Sequence, residues 1–313
     1  MNPLQKIGAF TAALAAAFGT AYGVGTAFGP IDRDTTAAGH AAGHSPRPAG
    51  KPSAADLLPA GLQVSQNGYS LDLETTALPA GRSSTLRLVV RDADGAPLTR
   101  YRTAHGEQLH LIIASRELTT YRHLHPDRAA DGTWSTPVDL PAAGGYRVFA
   151  DFVPADGSEG LTLGSDLTVT GAYRASEPPA PAATTTVDGY AVALRGTLAA
   201  GGESDLTFTV RRDGQPVTDL EPYLGAYGHL VALRSGDLAY LHVHPHEAAE
   251  KDRTSGPEVS FSATAPSAGT YRLFLDFKVD GTVRTAAFTV RTGTGTGSGS
   301  HPEAPHEETS HGH

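Results

Sequence analysis

Two histidine trios with identical spacing are the residues of this chain best suited to chemistry. His110 precedes Tyr121-Arg122-His123-Leu124-His125-Pro126, and His229 precedes Tyr240-Leu241-His242-Val243-His244-Pro245. One offset of 119 residues carries 110 to 229, 123 to 242 and 125 to 244 without a gap. Imidazole is a common ligand of zinc and copper, and three at one spot hold a metal with a fourth position left for water or a carboxylate. Asp151 and Asp276 occupy matching places further along and are the candidates for that fourth ligand or for orienting an imidazole. Each Asp alternates with an Arg and a Phe (Arg147 and Phe149, Arg272 and Phe274), so a structural ion pair is the competing reading of the carboxylates.

The elements that must position these groups are strands. The apolar residues come in short runs rich in Val, Leu, Thr and Phe, broken by Asp-Gly, Ala-Gly and Gly-Gly turns, with no long helical period. The runs themselves repeat: Leu86–Arg91 matches Leu206–Arg211, Asp94-Gly95 matches Asp213-Gly214, and Tyr146–Phe152 matches Tyr271–Phe277. The chain is thus predicted to be all-β, with two tandem Ig-like or cupredoxin-like β-sandwich repeats after an N-terminal membrane helix or signal. Tyr146 and Tyr271 follow Pro-Ala-Ala-Gly-Gly and Pro-Ser-Ala-Gly-Thr, the setting in which an Ig-like strand corner has a Tyr bonded back to upstream backbone.

Within each repeat, a hairpin brings the histidines together. A turn at Ser115–Leu118 sets His110 opposite His123, and one at Ser235–Asp237 sets His229 opposite His242 between strands 229–232 and 238–244. His125 and His244, two positions on, fall on the same face because side chains alternate. The same residues could instead cap loops, bond backbone carbonyls or stack on Tyr121 and Tyr240. One site per repeat and a single shared site are equally compatible with the spacing.

Composition narrows the chemistry. At 313 residues with 39% hydrophobic content, the chain has room for two ordinary domains. The net charge of −9 and the scattered 24 Lys and Arg residues leave no nucleic-acid footprint. There is no Cys and the sole Met is Met1, which excludes disulfides, thiolate nucleophiles, Cys-ligated zinc, blue copper and a thioether site for Cu(I). A metal would be held by nitrogen and oxygen, which favours Cu(II) or Zn(II).

The domain plan follows. Residues 1–28 read as a membrane anchor or signal, with Lys6 placing the amino terminus inside and the remainder outside the cell. Residues 29–60 form a flexible linker, 61–175 the first sandwich, 176–186 a Pro-rich hinge, 187–292 the second sandwich, and 293–313 a disordered His-rich tail. His40, His44, His301, His306, His311 and His313 lie in the flexible tracts and His246 has no counterpart in the first repeat; these are loose metal capture at best.

The Leu109-His-Leu-Ile-Ile-Ala-Ser-Arg-Glu-Leu118 and Leu241-His-Val-His-Pro245 segments resemble those of secreted or membrane-anchored actinobacterial proteins with YtkA-like, Ig-like β-sandwich domains, some described as heavy-metal-binding or grouped with copper-handling genes. The resemblance covers about residues 62–292 and implies an extracytoplasmic metal-binding role. The absence of Cys and of internal Met departs from familiar copper chaperones and speaks against Cu(I) transfer.

The expected function is therefore that of a membrane-tethered extracytoplasmic protein binding Cu(II) or Zn(II) for buffering, delivery or resistance. Its expected partners are the metal ion, the membrane and a metal-handling protein. The alternative is a non-enzymatic cell-surface Ig-like structural or interaction module with structural histidines. Metal-dependent hydrolysis or oxidation has little support: no Glu base accompanies both His-x-His motifs, and no Gly-x-Ser-x-Gly elbow or phosphate loop is present.

Overall fold

The computed structural model describes residues 59–157, 159–241, 243–250 and 253–292. The anchor expected at 1–28, all but the end of the linker, the tail at 293–313, and His242 lie outside these residues. No helix of the described residues is long and apolar enough to cross a membrane.

The described chain is all β. The first repeat holds β1 (Ser65–Gln66), β2 (Tyr69–Leu73), β3 (Ala77–Pro79), β4 (Ser84–Arg91), β5 (Tyr101–Arg102), β6 (Leu109–Ser115), β7 (Tyr121–Leu124), β8 (Asp127–Arg128), β9 (Thr133–Val138), β10 (Gly144–Pro154) and β11 (Leu161–Thr170). The second holds β12 (Thr184–Val187), β13 (Tyr190–Arg195), β14 (Glu203–Arg212), β15 (Gln215–Pro216), β16 (His229–Arg234), β17 (Val243–Pro245), β18 (Glu258–Thr264), β19 (Thr270–Val279) and β20 (Thr282–Arg291). Each repeat packs two sheets face to face: β1-β2-β4-β9-β8 against β3-β11-β10-β6-β7, and β12-β13-β14-β18-β17 against β16-β19-β20.

Alternation builds each core. Leu86, Leu88 and Val90 of β4 point inward to meet Leu109, Leu111 and Ile113 of β6 and Tyr146, Val148 and Phe152 of β10. In the second repeat Leu206, Phe208 and Val210 meet Tyr271, Leu273, Leu275 and Phe277. Asp213 and Gly214, at φ of 50° and 77°, form the two-residue turn that pairs Arg212 with Gln215, where right-handed strand twist favours positive φ. Both tyrosine corners are present: Tyr146 donates to Ala142 O at 2.8 Å and Tyr271 to Ser267 O at 2.7 Å.

Strand β6 is buried along its whole length, which a single sandwich face does not explain. A third apolar cluster covers its outer side. Ile112, Ala114, Leu118 and Phe149 of the first repeat pack on Val231, Leu233, Leu238 and Phe274 of the second, flanked by Tyr121 and Tyr240. The two repeats therefore dock through the outer faces of their β6 and β16 sheets, the faces that also carry the lone histidines.

The hairpin register differs from that expected. Ile112 pairs with His123 and Leu111 with Leu124, so His110 does not stand opposite His123. The loop is wider than a tight turn: Ser115 N–H donates to Thr120 O, Leu118 turns back at φ 55°, and the Ser115 hydroxyl accepts from the Thr119 and Thr120 N–H groups. A displacement of two residues preserves the face, so the histidines stay on one side. Among the described residues of the second repeat, Tyr240 bridges to Leu233 and Leu241 N–H donates to Ala232 O, but the expected strand 238–244 is divided, because β17, which carries His244, pairs with β18 in the other sheet.

Candidate metal centre

Each lone histidine lies opposite its own repeat's aspartate in the ladder, His110 with Asp151 and His229 with Asp276. Around His110 the structure gathers His123 and His125 of the same repeat. Among the described residues these three form the one group whose ligand atoms all lie within 4.8 Å of one another.

Hydrogen bonds assign the tautomers. His110 Nε2 lies 3.1 Å from Ala104 O, which can only accept, so Nε2 carries the proton and Nδ1 keeps its lone pair while the ring is neutral. Burial is the main reason the ring is neutral, and it lowers the His110 pKa to about 3. His123 Nδ1 lies 2.8 Å from Asp276 Oδ2, and the other oxygen of that carboxylate accepts from Thr285 Oγ1 at 2.5 Å. The His123 and Asp276 side chains are only 3% and 2% exposed. With Nδ1–H donated to the carboxylate, Nε2 is the nitrogen of His123 left to face a ligand.

His110 Nδ1 and His123 Nε2 face each other 3.3 Å apart. Two bare acceptors repel unless a cation or a proton lies between them. Two imidazole nitrogens on one tetrahedral ion, each with a bond of about 2.0–2.1 Å, would be separated by about 3.3 Å. The separation is that of a tetrahedral edge. His125 supplies a third nitrogen: its Nε2 is buried and finds no hydrogen-bond partner among the described residues. Burial, then the neighbouring His123, lowers the His125 pKa to about 4.

The remaining residues expected to be ligands are placed differently. The His229 ring enters the cluster from the second repeat, stacked on His110 at 5.7 Å and tilted on His123 at 4.8 Å. Burial, and then the neighbouring His123 and His110 rings, hold its pKa well below the usual histidine value. His244 is exposed on β17 and lines a cavity of about 500 Å³ shared with His105, Asp151, His229 and Tyr240. Asp151 accepts from Thr162 Oγ1 at 3.2 Å, and removal from water raises its pKa to about 6. Its alternation with Arg147 makes no ion pair with it; Arg147 turns to Asp166 and to the Gly61, Leu62 and Gly164 carbonyls. A side chain at Gly164 would meet Gly61 O at 2.0 Å, so this position must be glycine for the arginine to cross.

His105 belongs to the same ring cluster, 6.1 Å from both His110 and His229, and sequence reading passed over it. It sits at φ 51°, as does its counterpart Leu224 at φ 54°, each followed by a glycine. An Ala-His-Gly next to a histidine trio was the available signal, since histidine is among the side chains that tolerate this backbone region.

The family described as Domain of unknown function (DUF8832) matches residues 63–169 and again 185–294. No curated protein matches the chain. Among solved structures, the Escherichia coli adhesin FdeC is similar at 18% identity, with 73% of this chain and 65% of that chain covered and a TM-score of 0.24. InvD of Yersinia pseudotuberculosis is similar at 13% identity, covering 77% and 62%, with a TM-score of 0.23. The integrin-binding bacterial protein invasin is similar at 14% identity, covering 73% and 40%, with a TM-score of 0.20. The chain thus spans less than two thirds of each of these chains. None of these matches is a YtkA-like or metal-binding family.

Proposed function

Because this chain belongs to the DUF8832 family, whose description carries no activity, we propose from the chemistry of the site that it is a non-enzymatic tandem Ig-like protein that binds a divalent metal between its repeats. The ligands are His110, His123 and His125. The observation that carries this reading is the approach of His110 Nδ1 to His123 Nε2 at 3.3 Å beside a third buried, unpartnered imidazole nitrogen. Nitrogen-only donors suit Zn(II) and Cu(II), and the tetrahedral edge favours Zn(II) over square-planar Cu(II), whose adjacent nitrogens stand about 2.9 Å apart. The anchor expected at residues 1–28 makes this an extracytoplasmic, membrane-tethered binder serving buffering, delivery or resistance, with a metal-handling protein as its exchange partner.

The test is Zn(II) and Cu(II) titration of the full chain in which His40, His44, His301, His306, His311 and His313 are replaced by Gln. Saturable uptake that raises the melting temperature and disappears with His123→Ala supports the reading, because a ligand of the folded state must stabilise it.

A second reading has its own observation. The Ala104 and Asp276 hydrogen bonds satisfy one nitrogen on each of His110 and His123, and the stacked rings fill the junction without an ion. The histidines would then be structural in a cell-surface Ig-like module. No metal uptake, with stability falling in His123→Ala, would establish it.

A further inference from the structure

All three proposed ligands come from the first repeat, yet the group that orients His123 comes from the second. We infer that metal uptake and docking of the repeats form one linked equilibrium, in which Asp276 is the positioning residue and the ion acts as a latch between domains. This rests on the metal-binding reading above.

The geometry is a rail. Along β19, residues 272, 274 and 276 share one face, and each meets the β6–β7 hairpin of the other repeat. Arg272 Nε donates to Leu118 O at 3.2 Å; Phe274 stacks on Tyr121 with centroids 4.1 Å apart and planes 6° from parallel; Asp276 receives His123 at 2.8 Å. The stack and the imidazole–carboxylate bond are both two residues apart on their own strands, so the hairpin and β19 engage in register or not at all. Tyr240 against Phe149, with centroids 5.8 Å apart and planes tilted by 50°, is the corresponding contact with the domains exchanged.

His123 Nδ1 takes its acceptor from the second repeat and not from the first. The counterpart of Asp276 there, Asp151, is bonded to Thr162 and is not the acceptor of His123 Nδ1. Undocking would leave His123 without the acceptor that selects its tautomer and fixes its ring, two contributions that typically alter metal affinity 10–100-fold. Coordination at Nε2 in turn makes Nδ1–H a stronger donor to Asp276. Coupling between two equilibria is reciprocal, so whatever factor docking contributes to affinity, the ion returns to docking.

The experiment uses the full chain with His40, His44, His301, His306, His311 and His313 replaced by Gln. Asp276→Asn keeps the shape and weakens the acceptor; Phe274→Leu loosens the rail without touching a histidine. Zn(II) affinity is measured by competition, and Co(II) absorption reports ligand geometry. Because the chain has no cysteine, Asp94→Cys and Asp213→Cys place one spin label on an exposed turn of each repeat. The latch predicts a 10–100-fold loss of Zn(II) affinity and a shifted Co(II) spectrum in Asp276→Asn. It also predicts a smaller loss of affinity in Phe274→Leu, and an inter-label distance distribution that narrows when Zn(II) is added to the otherwise unaltered protein. Unchanged affinity in both variants, with labels indifferent to Zn(II), overturns the latch and leaves the metal site standing. A parent protein that takes up no Zn(II) overturns both.

Discussion

Asp276 of the second repeat accepts the Nδ1–H of His123 of the first across 2.8 Å, and both side chains are sealed from water. This bond reaches 153 positions along the chain and fixes which nitrogen of His123 is free. It makes the imidazole cluster a property of the docked pair of repeats. A carboxylate behind an imidazole both selects the tautomer and raises the ring's basicity toward a cation.

His125 separates a ligand from a packing residue. Its Nε2 is buried without a partner, a state that costs about 1–3 kcal/mol when nothing binds there. In His125→Leu, the melting temperature measured with chelator present is expected to hold or rise, while the increase on adding Zn(II) shrinks or vanishes. A structural histidine would give a fall in the chelated protein.

Tyr121 offers a parallel case without metal. Its ring stacks on Phe274, but its hydroxyl is buried with no hydrogen-bond partner among the described residues. Tyr121→Phe keeps the stack and removes the orphaned group, so urea unfolding should show a gain of about 1 kcal/mol. Tyr121→Ala removes the stack and should cost about 3–5 kcal/mol, as large-to-small changes at buried aromatic positions do.

Acid should destabilise the metal-free protein. His110 and His125 have pKa values lowered to about 3 and about 4 from an ordinary 6.5, and His229 is lowered as well. Between those values and 6.5 the unfolded chain binds more protons than the folded one, so stability falls as pH drops through that window. Asp151 opposes this. Its pKa is raised from 3.8 to about 6, so the folded state holds the extra proton between those values and gains relative stability as pH falls. Three imidazoles outweigh one carboxyl. Melting temperatures taken in chelator from pH 7 to pH 4 should therefore decline, and more steeply in Asp151→Asn.

The two tyrosine corners should behave alike. Tyr146→Phe and Tyr271→Phe each delete one hydrogen bond to a carbonyl four residues upstream. Each is expected to cost about 1 kcal/mol in denaturant unfolding. Because Tyr146 and Tyr271 sit in separate cores, the double variant should show the sum of the two losses.

Local patterns carried much of this protein into view. Alternation, Asp-Gly turns and the repeat offset point to two sandwiches, since burying one face of a sheet imposes a period of two on its residues. The tyrosine corners and the shared face of His110, His123 and His125 are local consequences of the same rule. The hairpin register depended on hydroxyl bonding around Ser115, which spacing alone does not reveal.

Tertiary structure decided the rest. The continuous apolar run of β6 requires cover on both faces, but only packing of one repeat on the other shows that Val231, Leu233 and Phe274 provide it. That docking brings Asp276 to His123 and His229 to His110, contacts between residues more than a hundred positions apart with no pattern in their neighbours to announce them. Side-chain period specifies which face of a strand is buried; complementarity between two finished surfaces selects its partner, and that selection set His229 and Asp276 of the second repeat against the histidine trio of the first.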